Sequence, residues 1–219
     1  MAEHPKPPSL LVSEVFYSLQ GEASRIGLST VFVRLTGCPL RCTWCDTEHA
    51  FTGGRRMTLA AILDTVSRYG ARQVCVTGGE PLAQKNCLPL LTALCDAGHD
   101  VSLETSGALD IAGVDPRVSR IVDLKAPDSG ESERNRWQNI PLLNSRDELK
   151  FVLASRADYE WAKQAIAEHR LEQHCPILFS PVQGALAPRE LAEWILADRL
   201  PVRFQLQLHK LLWGNMQGK

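Results

Sequence analysis

A chain of 219 residues, 44% of them hydrophobic and 22% charged, can bury a sizeable core, so disorder is not the default. A formal net charge of −1 lacks the basic excess of a duplex nucleic-acid binder, so no nucleic-acid partner is expected. No run approaches the apolar length that spans a bilayer, and MAEHPKPPSLLVSEV has no basic segment followed by a long apolar one, so neither membrane span nor signal peptide is read and a cytoplasmic location is expected.

In chain order, LLVSEVFYSL (10–19) and STVFVRLTG (29–37) read as strands, the second rich in β-branched residues and ending at Gly-Cys-Pro. MTLAAILDTVSRYG (57–70) has helical apolar spacing and closes on glycine. RQVCVTGGEP (72–81) is a buried strand opening into a loop, NCLPLLTALCDAG (86–98) a helix and HDVSLETSG (99–107) a strand. VSRIVDLKAP (118–127) is a strand and 128–139 a polar loop. ELKFVLA (148–154) is a strand, and 155–169 is a helix with Ser155 as its N-cap. PILFSPVQ (176–183) is a strand, 187–198 a helix, and PVRFQLQLH (201–209) a final strand. The alternation predicts an α/β fold with a parallel sheet and crossover helices, in one domain over 1–219.

Polar groups gather at the strand ends: Cys38, Thr77, Glu104, Asp123 with Lys125, Ser180 with Gln183, and Gln207 with His209. In parallel α/β architectures the carboxyl ends of the strands share one face, and that face carries the site.

TGCPLRCTWCDT (36–47) places Cys38, Cys42 and Cys45 in one short loop, and seven cysteines without an export signal suit a reducing compartment. Three readings compete. A structural zinc site would complete a Cys3His set with His49; a redox pair would use Cys42-Thr-Trp-Cys45 alone; an iron–sulfur cluster would take the three thiolates and leave one iron open. Cys75, Cys87, Cys95 and Cys175 stand singly among apolar residues and read as small buried hydrophobes.

The Cys-x3-Cys-x2-Cys loop, followed after the next strand by Gly78-Gly79-Glu80-Pro81, resembles the radical S-adenosylmethionine (SAM) superfamily. The resemblance implies a partial radical SAM βα barrel in which Cys38, Cys42 and Cys45 hold a [4Fe–4S] cluster and SAM binds the open iron. Glycine pairs suit close approach of backbone to a ligand. Within the superfamily the chain is similar, from about residue 10 to 214, to the 7-carboxy-7-deazaguanine synthases. That similarity rests on EVFYSLQGE (14–22), VFVRLTGCPLRCTWCDT (31–47), VTGGEP (76–81), LETSG (103–107), DLKAP (123–127) and QLHK (207–210). These enzymes convert 6-carboxy-5,6,7,8-tetrahydropterin to 7-carboxy-7-deazaguanine with release of ammonia, in the making of queuosine and related 7-deazapurines. They need Mg2+, form homodimers and take an electron from a protein such as flavodoxin or ferredoxin.

Carried onto this chain, the resemblance implies that Trp44, Cys45, Asp46, Gly79, Glu104, Asp123, Leu124, Lys125, Ser180, Pro181, Val182 and Gln183 contact SAM. Thr47 is the implied Mg2+ ligand. Leu19, Gln20, Gly21, Arg34 and Thr77 bind the pterin, with Arg34 gripping its carboxylate; Glu22, Arg34 and His209 are the implied catalytic residues. Some relatives use the chain terminus as a substrate contact, for which Asn215 is the candidate here. Two departures stand out: Leu208 precedes the histidine where many relatives carry threonine, and Asp-Leu-Lys replaces a Ser-Pro-Lys. The rival readings are a radical SAM activase of a glycyl radical enzyme and a Cys3His zinc-binding module.

Overall fold

The computed structural model describes residues 7–214 and 216–219, so Asn215 lies outside the described residues. Nine strands form one sheet in the order β3-β1-β2-β4-β5-β6-β7-β8-β9. β1 (Ser9–Leu19) runs antiparallel to β2 (Ser29–Leu35) and to β3 (Arg55–Thr58). From β2 onward every neighbour is parallel: β4 (Gln73–Gly78), β5 (Asp100–Thr105), β6 (Ser119–Asp123), β7 (Glu148–Leu153), β8 (Ile177–Pro181) and β9 (Arg203–Phe204). Helices α1 (Leu59–Ser67), α2 (Cys87–Asp96), α3 (Arg156–His169) and α4 (Pro188–Asp198) supply the crossovers. The steps from β5 to β6 and from β6 to β7 are made without an α-helix.

The two-residue period of a strand sorts side chains to two destinations. Val31 and Val33 of β2, Val74 and Val76 of β4, and Leu149, Phe151 and Leu153 of β7 join Ile62, Leu90, Tyr159 and Leu191 of the helices in one core. The residues between them, such as Arg34, Thr77, Lys150 and Val152, line a cavity on the other face. Burial of the apolar half is the main driving force for folding; the other half is left for chemistry.

Several boundaries differ from expectation. The segment predicted as a helix from 57 begins inside β3, and Thr58 then serves as the N-cap of α1, its Oγ1 accepting from Ala61 N at 3.2 Å. The predicted 118–127 strand ends at Asp123, and the polar 128–139 loop is organised into short 3-10 turns. That loop is stitched to its surroundings: Asn135 bonds both Lys125 N and Lys125 O, and Asn139 Nδ2 donates to Gly107 O and Leu109 O. Ser155 caps α3 as predicted, accepting from Asp158 N at 3.2 Å.

The largest correction is at 201–209. Only Arg203–Phe204 pairs in the sheet, and the chain then turns into helix α5 (Leu208–Trp213). The sheet pairing ends with Gln205, whose N still donates to Phe179 O of β8 at 3.0 Å while its side-chain Oε1 accepts from Ala23 N at 2.9 Å. Ala23 sits in the β1–β2 connection, residues 20–28, at a positive φ of 63°, and packs inside the sheet against Ile121 and Leu178. This connection ties β1 and β2 to the far side of the sheet. Ser24 bonds Glu148 of β7, and Gly21 O accepts from Leu208 N. His209 is therefore in the first turn of a helix, not at a strand end.

Candidate active site

The concave face encloses a cavity of about 760 Å³, lined from the strand ends, the cysteine loop, connection 20–28 and α5. Cys38, Cys42, Cys45, Trp44, Asp46, Thr47, Gly79, Glu104, Asp123, Lys125, Val182 and Gln183 all line it. So do Leu19, Gln20, Gly21, Glu22, Arg34, Thr77 and His209. Leu124, Ser180 and Pro181 do not. They are buried behind the lining, Leu124 in the helix-side core and Ser180 with an Oγ that finds no partner among the described residues.

The cysteine loop leaves β2 at Gly37, whose φ of 99° favours glycine. Arg41 holds the loop from within, Nη1 donating to Cys38 O at 2.8 Å and Leu40 O at 2.6 Å. Thr43 N and Oγ1 donate to Ser129 O and Asp128 O, tying the loop to the turn after β6. Gly79 packs so closely on it that an added Cβ would lie 2.3 Å from Gly37 O and 2.8 Å from Cys38 Cβ. Glu80, next in the Gly-Gly-Glu-Pro run, points away from the cavity. Its carboxylate is fully buried and accepts from Thr105 Oγ1, Ser106 N and Ser106 Oγ.

Below the loop the lining is ionic. Arg34 Nε donates to Glu14 Oε1 at 2.7 Å, and His49 Nε2 faces the same oxygen at 3.4 Å. Glu104 accepts from Gln20 Nε2 at 3.2 Å and from Thr77 Oγ1 at 2.9 Å, which joins β4, β5 and connection 20–28 at one carboxylate. Glu22 accepts from Lys150 Nζ and from Gln207 Nε2, each at 2.5 Å. Burial works to raise the Glu22 pKa, but the Lys150 ammonium outweighs it and holds the carboxyl below its ordinary range. Asp46, by contrast, is exposed at the cavity mouth; Lys210 at 2.8 Å holds its carboxyl well below the ordinary carboxylate range against the partial burial that would raise it, and it accepts from Thr47 Oγ1 at 2.8 Å. Burial pushes His209 down, against the pull of Glu22 and Asp46, which favours the neutral imidazole. Burial also raises all three cysteine thiols of the loop.

Sequence reasoning missed Glu14, Lys150 and Lys210. The signal for Lys150 was present: in ELKFVLA the apolar residues 149, 151 and 153 fix the helix side, so position 150 must face the other way. Glu14 and Lys210 fall within the EVFYSLQGE and QLHK segments, but nothing there gave them a role, because their partners lie 20 and more residues away in sequence.

A three-thiol loop beside a glycine pair and a row of inward polar groups is a specific arrangement. The family model described as the Radical SAM superfamily matches residues 32–170. A 7-carboxy-7-deazaguanine synthase of Chlorobaculum tepidum is 53% identical over 208 residues, covering 94% of this chain and 94% of its own length. A second, of Koribacter versatilis, is 42% identical over 92% of this chain and 96% of its own. The chain belongs to the 7-carboxy-7-deazaguanine synthases of the radical SAM superfamily. Its fold agrees: the crystal structure of QueE from Escherichia coli superposes with a TM-score of 0.77 at 26% identity, over 92% of this chain and 95% of that one. The activase and zinc-module readings are not favoured.

Membership of the superfamily carries with it a [4Fe–4S] cluster and SAM. The residues fit both. The three cysteines are free and half-buried, all three line the cavity, and three thiolates are the number that leaves one iron of a four-iron cube open. The Gly79 cradle leaves no room for a side chain beside Cys38, and the buried Asp123 Oδ1 has no donor among the described residues, so a ligand amine or hydroxyl could satisfy it.

Proposed function

We propose that the chain converts 6-carboxy-5,6,7,8-tetrahydropterin to 7-carboxy-7-deazaguanine with release of ammonia, a step towards queuosine or a related 7-deazapurine. It would do so as a single cytoplasmic domain that acts as a homodimer, binds Mg2+ and takes an electron from a flavodoxin or ferredoxin. The observation that carries the reading is the meeting, in one cavity, of the three-thiol loop with Gln20, Glu22, Arg34, Thr77 and His209. When bound, the cluster and SAM supply the radical that starts the ring contraction.

The chain's own part is binding and orientation. Cys38, Cys42 and Cys45 would hold the cluster; Gly79, Glu104, Asp123, Lys125 and the 180–183 segment would flank SAM. Arg34 is fixed side-on by Glu14 through Nε, which leaves its two terminal nitrogens to fork the pterin carboxylate. Glu22, kept ionised, accepts N–H bonds from the pterin edge, and Gln20 offers an amide beside it. His209, neutral in the cavity, hydrogen-bonds the substrate without adding charge. Thr47 offers Mg2+ a hard oxygen, with Asp46 next to it to orient the hydroxyl or a metal-bound water.

The test is anaerobic cluster reconstitution, then turnover with SAM, Mg2+, a reductant and the carboxypterin. Product with the mass expected for 7-carboxy-7-deazaguanine is expected from the parent chain. Cys42→Ala is expected to lose iron and at least about a thousandfold of activity, since no spare thiol lies in the loop. Full turnover by Cys42→Ala, or no product from a fully loaded parent, would end the reading.

A further inference from the structure

The proposed function uses Glu22 and Asp123 but gives no task to the cation between them. Lys150 stands mid-strand on β7, inside an apolar run, with its side chain only 11% exposed. Its Nζ lies 2.5 Å from Glu22 Oε2 and 3.3 Å from Asp123 Oδ2. Asp123 is also 3.1 Å from Lys125 Nζ. Four charges of alternating sign thus run from connection 20–28 to the end of β6, and Lys150 is the link that spans the two sides. The other Glu22 oxygen is taken by Gln207.

Stability alone does not account for this lysine. Taking an ammonium and a carboxylate out of water costs about what their attraction returns, so an apolar residue at 150 would fold the strand as well. Val152 and Leu178, inward on β7 and β8, show that apolar side chains suit this face. What an apolar residue cannot do is hold a carboxylate ionised and immobile. We propose that Lys150 is a positioning residue for the pterin: its ammonium fixes Glu22 at the cavity wall with its remaining lone pairs turned to the substrate's N–H edge. The inference rests on the functional reading above, in which Glu22 meets the pterin. Burial opposes the charge on Lys150, but Glu22 and Asp123 more than compensate and keep it cationic. Lys125 remains on Asp123 when Lys150 is removed, so the SAM side keeps a counter-charge.

The test is equilibrium binding to the reconstituted protein, held oxidised and anaerobic, by calorimetry with the carboxypterin and separately with SAM. Lys150→Met is expected to weaken pterin binding by roughly 30-fold or more, the usual consequence of stripping one partner from a buried charge pair. SAM affinity should move less than about threefold, with iron content unchanged. Lys150→Arg, which keeps the charge, should recover most of the pterin affinity. If Lys150→Met does not fold, Lys150→Met with Glu22→Gln removes the pair together; it should bind the pterin no more weakly than Glu22→Gln alone. Parental pterin affinity in folded Lys150→Met, or equal losses for pterin and SAM, would overturn the proposal while leaving the functional reading intact. A loaded parent that binds no carboxypterin would overturn both.

Discussion

At Glu80, both carboxylate oxygens are engaged before any ligand arrives. Thr105 Oγ1 lies 2.9 Å from each, Ser106 donates through N and Oγ, and Leu82 N donates at 2.9 Å. These bonds lock the loop after β4, which carries Gly79, to the loop after β5. Charge-assisted bonds to a buried carboxylate are among the stronger ones, and removing the acceptor strands several donors at once. Glu80→Ala is therefore expected to cost roughly 3–5 kcal/mol, with Glu80→Gln in between because one acceptor oxygen survives. Urea unfolding of the cluster-free chain checks this, and a loss under about 1 kcal/mol for the alanine variant would show that the loops hold without it. The Gly-Gly-Glu-Pro run was legible as a motif, but the role of its glutamate was not, because its partners sit 25 and 26 residues downstream. Arg34 is the converse: its type and inward position were readable, and its Glu14 partner, reached only across the β1–β2 pair, was not.

The elements that close the cavity are the ones periodicity read least well. Strands β2, β4, β5, β7 and β8 have apolar faces set by their own period, and helices α1 to α4 by theirs, so a linear reading found them. β9 and α5 answer instead to connection 20–28, which bonds the Gln205 side chain through Ala23 N and seats Leu208 on Gly21. The fit there is tight. A Cβ on Gly21 would lie 2.1 Å from His209 Nδ1 and 3.2 Å from its Cβ. Gly21→Ala is expected to push α5 off the cavity and to weaken pterin binding at least about tenfold, with the core's thermal unfolding little moved. Gly70→Ala is the control. At Gly70 φ is 64° and no atom lies within 4 Å of an added Cβ, so it should cost about 1 kcal/mol of left-handed strain and leave binding unchanged. Loss of binding by both variants alike would mean that a general loss of stability, not the α5 contact, is what matters.

Across the whole molecule the period of the strands divides stability from chemistry: the outer half packs on helices, the inner half faces the cavity, and the two halves can be perturbed separately. α5 belongs to the second category. It has no buried residue, and Leu211 and Leu212 are exposed, yet it supplies His209 to the cavity and Lys210 to Asp46. A chain ending at Gln207 keeps the Gln207–Glu22 bond and every core residue of the sheet and helices. Its thermal and urea unfolding should stay within about 2 kcal/mol of the parent, the range for loss of exposed contacts. With the Lys210 ammonium gone, Asp46 should also recover a higher pKa, since burial then acts on it with less opposition. Pterin affinity should fall at least about tenfold for the lost His209 bond and the opened mouth, while iron content after reconstitution holds because all three cysteines remain. Calorimetry, iron analysis and a melt on the same preparation separate these quantities. A shortened chain that melts far below the parent would place α5 in the core after all, and one that binds the pterin at full strength would remove it from the site.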